Sequence, residues 1–149
     1  MSKYKIVLLE SRFIKHEKPL YIKYADGSEI DFNNEGIGYV VTRELAKIPV
    51  FLKNILEKGY DKSHYSGCMT GPVNLGDDTL LAEDLADVWV METHTIIPVK
   101  DFYDICVQIA EKSLEAITVF NLKASGKIDN QWEEDIKSYL PKLKQLRDQ

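Results

Sequence analysis

Apolar residues fall along this chain in three kinds of run, and each predicts a different element. The unbroken run Ile6-Val7-Leu8-Leu9, within Lys3 to Glu10, predicts a central strand. Leu20 to Tyr24 and Glu29 to Phe32 alternate apolar and polar positions around Ala25-Asp26-Gly27-Ser28, the composition of a β-hairpin turn. A three-residue Ala25-Asp26-Gly27 loop with Gly27 left-handed sets Ile22 against Ile30, Leu20 against Phe32 and Lys23 against Glu29. A two-residue loop would oppose Ile22 to Asp31 and leave no clean apolar face, so the pattern favours the longer one. After the turn cluster Asn33-Asn34-Glu35-Gly36, Ile37 to Val41 reads as a further strand. Thr79 to Ala82 and Val88 to Glu92 read as two more, with the acidic Glu83-Asp84-Leu85-Ala86-Asp87 between them.

Helical spacing supplies the third kind. Leu45, Ile48, Leu52, Ile55 and Leu56 predict a helix near 43–58, capped by Thr42 and stopped by Gly59. Pro49 lies inside that pattern and either kinks the helix or opens a shorter one at about Pro49; spacing leaves both open. Phe102, Ile105, Cys106, Ile109, Ser113, Ala116 and Ile117 trace one face of a helix over 100–118. Asn130 with Glu133 forms a capping-box pattern ahead of the stripe Trp132, Ile136, Tyr139, Leu140, Leu143 and Leu146, giving a helix over 131–147 that Pro141 should bend or break. Tyr60 to Asp78 is rich in Gly, Ser, Asp and Asn and reads as a long loop or a short hairpin arm around Val73 to Leu75. The expected fold is α+β: one domain over 1–149 with a mostly antiparallel or mixed sheet of five or six strands flanked by helices, the stretch 125–149 being a candidate appended helical arm.

At 149 residues, with 44% hydrophobic and 29% charged residues, the chain has ordinary globular composition, which argues against a disordered or a membrane protein. No apolar run approaches the ~18 residues of a membrane-spanning helix. The apolar stretch after Lys3 and Lys5 is too short for a secretory signal, and two cysteines, Cys68 and Cys106, are too few for a disulfide framework. A cytoplasmic location is therefore expected. A net charge of -5 disfavours nucleic acid as direct partner, because phosphate binding needs clustered Lys and Arg.

Catalytic chemistry is sparse. His64-Tyr65-Ser66-Gly67-Cys68 brings a thiol near an imidazole in sequence, the basis of an alternative reading as a small enzyme; thiol and base are usually distant in the chain in cysteine enzymes. His16, His64 and His94 with scattered carboxylates do not make a metal set, although Glu92 and His94 share a face if their strand continues. Gly36-Ile37-Gly38 lacks the pattern of a phosphate loop. No catalytic residue, metal or cofactor is expected. The strongest signal is acidic: Asp77, Asp78, Glu83, Asp84 and Asp87, with no Lys or Arg between Lys62 and Lys100. Such a field steers a basic partner, and these five residues are the candidate partner-binding set. The competing readings are a solvated loop and carboxylates for acid-base work.

The strand leading into the helix entry Pro98-Val99-Lys100-Asp101-Phe102, in a small acidic chain, resembles bacterial immunity proteins of contact-dependent growth inhibition over about Thr79 to Ile117. That resemblance implies a non-enzymatic inhibitor that binds a cognate toxin domain, often a nuclease. It carries no functional residues across. A scaffold protein without small-molecule chemistry would have the same overall character.

Overall fold

Tyr4–Leu8 forms strand β1 and Leu20–Tyr24 forms β2, paired antiparallel with Ile6 opposite Ile22 and Tyr4 opposite Tyr24. The computed structural model describes residues 3–10, 18–31, 33–41, 44–59, 64–65, 68–74, 81–90, 92–126 and 128–149. The β2 turn takes the longer loop: Tyr24 N–H donates to Ser28 O, Lys23 bridges Glu29, and Gly27 has φ +94°, which a glycine adopts without steric cost. Ile30 is buried with Ile22; Phe32 lies outside the described residues.

The remaining strands are β3 (His64–Tyr65), β4 (Cys68–Asn74), β5 (Leu81–Val90) and β6 (Thr93–Pro98), ordered β3-β4-β5-β6 in an antiparallel sheet. The α+β composition stands, but the single sheet of five or six strands does not, because the strands divide into a two-stranded and a four-stranded sheet. Part of the reason is visible at β1. Ile6 N–H donates to Gln108 Oε1 at 2.9 Å and Gln108 Nε2 donates to Tyr4 O at 3.4 Å, so a helix side chain takes main-chain groups that a further strand would use.

Helices α1 (Ile48–Lys58), α2 (Val99–Val119), α3 (Leu122–Ser125) and α4 (Asn130–Asp148) complete the described elements, with 3₁₀ turns at Gly36–Val41 and Leu45–Lys47. The expected strand at Ile37–Val41 is thus a 3₁₀ turn. The expected helix over 43–58 starts only at Ile48, with Pro49 in its first turn, where proline's missing N–H has no helical acceptor to lose. Gly59 ends it at φ +73°. Helix α4 is capped by Asp129, not Asn130: Asp129 Oδ1 accepts the Trp132 N–H at 2.9 Å. It also runs unbroken through the exposed Pro141, held by buried Trp132, Ile136 and Leu143 on either side.

Helix α2 is the centre of the molecule. It packs on both sheets and on α1 and α4. Phe102, Ile105, Cys106, Ile109, Ser113 and Ala116 are buried as its spacing predicts, and Tyr103, Val107 and Ala110 are buried as well, on a helix that packs against sheets and helices alike. Trp132 Nε1 donates to Leu45 O at 2.9 Å, fastening α4 to the turn before α1.

One carboxylate joins the sheets. Glu35 accepts from Tyr4 of β1 (2.7 Å), Tyr24 of β2 (2.9 Å) and Thr95 of β6 (3.0 Å), and Thr95 Oγ1 in turn accepts the Ile37 N–H at 3.1 Å. The Tyr4 and Tyr24 rings stack at 5.6 Å, with Lys3 Nζ within 5.7 Å of both centroids. Burial first, and the Glu35 hydrogen bond second, push the Tyr4 hydroxyl far above the ordinary tyrosine range; for Tyr24 the Glu35 bond leads an upward shift.

Two outcomes follow from this packing. Phe102→Ala should cost about 3–5 kcal/mol, measured as a loss of denaturant midpoint; a change under about 0.5 kcal/mol would place the helix face in solvent. Tyr4→Phe should cost about 1–3 kcal/mol at neutral pH by removing one donor to Glu35. In wild type, folded Tyr4 keeps a proton that the unfolded chain releases above about pH 10, so its contribution is full below that pH and is lost as pH rises. Alkaline melts should therefore fall more steeply for wild type than for Tyr4→Phe, and parallel slopes would contradict the assignment.

Candidate functional site

Alternation divides the β5–β6 hairpin into two unlike faces. Ala86 and Val88 of β5 and Thr95 and Ile97 of β6 are buried against the core. The opposite face carries Leu85, Asp87 and Trp89 from β5, and His94, Ile96 and Pro98 from β6, all half-buried or exposed; Ile96 is 56% exposed. Register places Leu85 opposite Pro98, Asp87 opposite Ile96 and Trp89 opposite His94.

The hairpin is seated by a glycine. A Cβ on Gly36 would lie 2.6 Å from Val88 O and closer still to Thr93 O, so the 3₁₀ turn reaches the sheet backbone only because that position has no side chain.

On the outer face His94 Nδ1 lies 2.8 Å from Asp87 Oδ2 and 3.0 Å from Asp87 Oδ1, and its ring stacks on Trp89 at a centroid distance of 5.9 Å and 19° between planes. This is a diagonal contact across the ladder, with Asp87 facing Ile96 directly. On the other side Asp87 is partnered by Gly71 of β4, which has no side chain to fill the space beside the carboxylate.

Of the acidic candidates, Asp77 and Asp78 lie outside the described residues. Glu83 and Asp84 belong to β5, where Ala82 pairs with Val73 and Ala86 with Pro72; Glu83, Asp84 and Leu85 thus bulge from the β4 ladder. The segment expected to separate two strands is instead the bulged middle of one strand, because Leu85, Asp87 and Trp89 alternate with the core residues Ala86 and Val88. Asp87 alone of the five has a described side chain. His94 and Trp89 were not in the candidate set; the signal was the period-2 pattern through Thr93–Pro98 for His94 and the alternation of Leu85, Asp87 and Trp89 with Ala86 and Val88 for Trp89.

His64 pairs with Met69 and Tyr65 with Cys68, so His64 and Cys68 are not ladder partners. Cys106 is buried on α2. Glu92 lies in the turn before β6, off the strand that carries His94. Among the described residues no three His, Cys, Asp or Glu side chains gather as a metal set, and no helix is long and apolar enough to cross a membrane.

No protein-family model, curated protein or solved structure matches the chain.

Gly36→Ala should destabilise the fold by about 1–3 kcal/mol, since the added methyl meets carbonyl oxygens of both hairpin strands. Weakened amide protection at Val88 and Thr95 under hydrogen exchange would confirm the seating; an unchanged melt would refute it.

Proposed function

We propose that this chain is a cytoplasmic protein-binding inhibitor of the immunity type, which neutralises a basic toxin domain by covering it. A nuclease is the class of toxin such an acidic surface suits, because a domain that binds phosphate carries clustered Lys and Arg. The observation that carries the reading is the outer β5–β6 face: an aromatic and aliphatic surface with a carboxylate in its middle, drawn from a stretch that lacks Lys and Arg from 63 to 99. Interface centres of this kind combine aromatic anchors with sparse charge. The resemblance of Thr79 to Ile117 to immunity proteins points the same way.

Purification of the native protein from its source should bring down a basic protein in stoichiometric amount, and equimolar addition should abolish that protein's toxic activity. Capture without loss of activity would remove the inhibitor reading, and a turnover that disappears in Cys68→Ala with folding intact would replace it with an enzyme. Reversing Asp84 and Asp87 to Lys should slow association by about tenfold at low salt, with a smaller difference at high salt, because long-range attraction acts on the encounter rate; melts of the variant control for loss of the Asp87–His94 contact.

A further inference from the structure

We propose that the outer face of the β5–β6 hairpin docks a partner segment in which an arginine is flanked by apolar residues, the guanidinium lying on Asp87 and over the Trp89 ring while the apolar neighbours cover Ile96 and Pro98. The inference rests on the protein-binding reading above and adds to it the place and the chemistry of the contact.

His94 displays the geometry that such a group would take. Its planar ring presents an N–H-bearing edge to Asp87 at 2.8 Å and a face to Trp89 at 19°. A guanidinium is also planar, offers paired donors that fit a carboxylate, stays charged at all relevant pH and stacks on indole faces. Room exists for it. Asp87 retains acceptor positions beyond those facing His94, its side chain is 18% exposed, and its β4 neighbour is Gly71. The apolar flank continues from Ile96 to Pro98, which also borders a cavity of about 430 Å³ lined by Val99, Lys100, Tyr103, Leu146 and Gln149.

Charge selects among occupants. Glu83, Asp84 and Glu92 accompany Asp87 in the 63–99 stretch without an intervening Lys or Arg, so a guanidinium supplied from outside shares Asp87 with the His94 ring and with no Lys or Arg of this stretch. A second copy laid on the same face would bring like charges together, which costs free energy instead of releasing it. The occupant is therefore a basic partner, not another copy of this chain.

The test uses the full chain, labelled with ¹⁵N, and a short capped peptide alternating arginine and leucine. Saturable shifts should appear at Asp87, His94, Ile96 and the Trp89 indole, while the buried Trp132 indole stays fixed. A peptide with glutamate in place of arginine should leave all of them unmoved. Asp87→Asn and Ile96→Ser should each weaken binding by about tenfold, equivalent to about 1.4 kcal/mol. Val50→Ser and Val119→Ser, at positions that are also 58% exposed, should stay within about twofold of wild type. Shifts spread over the carboxylates of α4, or shifts that vanish on dilution of the protein without peptide, would overturn the proposal in favour of unspecific attraction or self-association. If the peptide docks here but no basic protein is captured from the source, the surface stands and the inhibitor reading falls. If a toxin domain is captured and binds Asp87→Asn and Ile96→Ser unchanged, the inhibitor reading stands and this surface falls.

Discussion

Glu35 accepts hydroxyl protons from Tyr4, Tyr24 and Thr95, and through them holds the two-stranded sheet against the four-stranded one. A main-chain ladder between β1 and another strand would compete with Gln108, which engages Ile6 N–H and Tyr4 O at that edge. The join is therefore built from side chains. A carboxylate suits the task because an ionised acceptor makes stronger hydrogen bonds than a neutral one and can serve several donors at once. The same choice makes the join unforgiving, since an acceptor stripped of donors in a half-buried site keeps its desolvation cost. Thr95 extends the network by accepting from Ile37, so the 3₁₀ turn that presents Glu35 is itself pinned to β6.

That arrangement fixes which side of the hairpin is free. The turn around Gly36 lies against Val88 and Thr93, and helix α2 packs on β5 and β6, so Ala86, Val88, Thr95 and Ile97 are committed to the core. A strand's alternation then leaves Asp87, Trp89, His94 and Ile96 on the opposite face, where the fold makes little demand on residue type. Helix α2 needs its apolar residues for packing on two sides. The outer face has no such packing duty; its Asp87–His94 contact and Trp89–His94 stack are cross-strand pairs of the kind that support a sheet.

Local pattern was enough for the elements whose neighbours are close in sequence. The Lys23–Glu29 register, the stop at Gly59 and the buried stripe from Phe102 to Ala116 all follow from turn chemistry or period, and the structure shows each of them. It failed where a distant partner decides the outcome. Nothing near Ile6 announces that Gln108 will take its N–H, so a sheet split in two could not be read from either segment. Gly36-Ile37-Gly38-Tyr39-Val40-Val41 is apolar enough for a strand and becomes a 3₁₀ turn because Gly36 must approach the hairpin backbone. The acidic run misled for a different reason: Asp is poor in strands, so Glu83 to Asp87 looked like a connection although Leu85 and Trp89 keep the alternation on either side of Asp87.

On the proposed reading, the bulge at Glu83-Asp84 and the outer face at Asp87 would divide two electrostatic roles along one strand. Charges in a bulged segment act on a partner at distances up to about a Debye length, roughly 8–10 Å at physiological salt, and so govern how often the partner arrives. Asp87, between Gly71 and Ile96 in the ladder and paired with His94, would act at contact distance if a partner covers this face, where displaced water would strengthen the interaction. Arrival depends on salt and is indifferent to the shape of the partner, whereas retention depends on how well a planar cation and its apolar neighbours match the Asp87–Trp89–Ile96 surface. Under that reading, long-range attraction alone would draw any basic protein. Selectivity would then have to come from the second, with the apolar residues around Asp87 as the means by which the proposed surface discriminates.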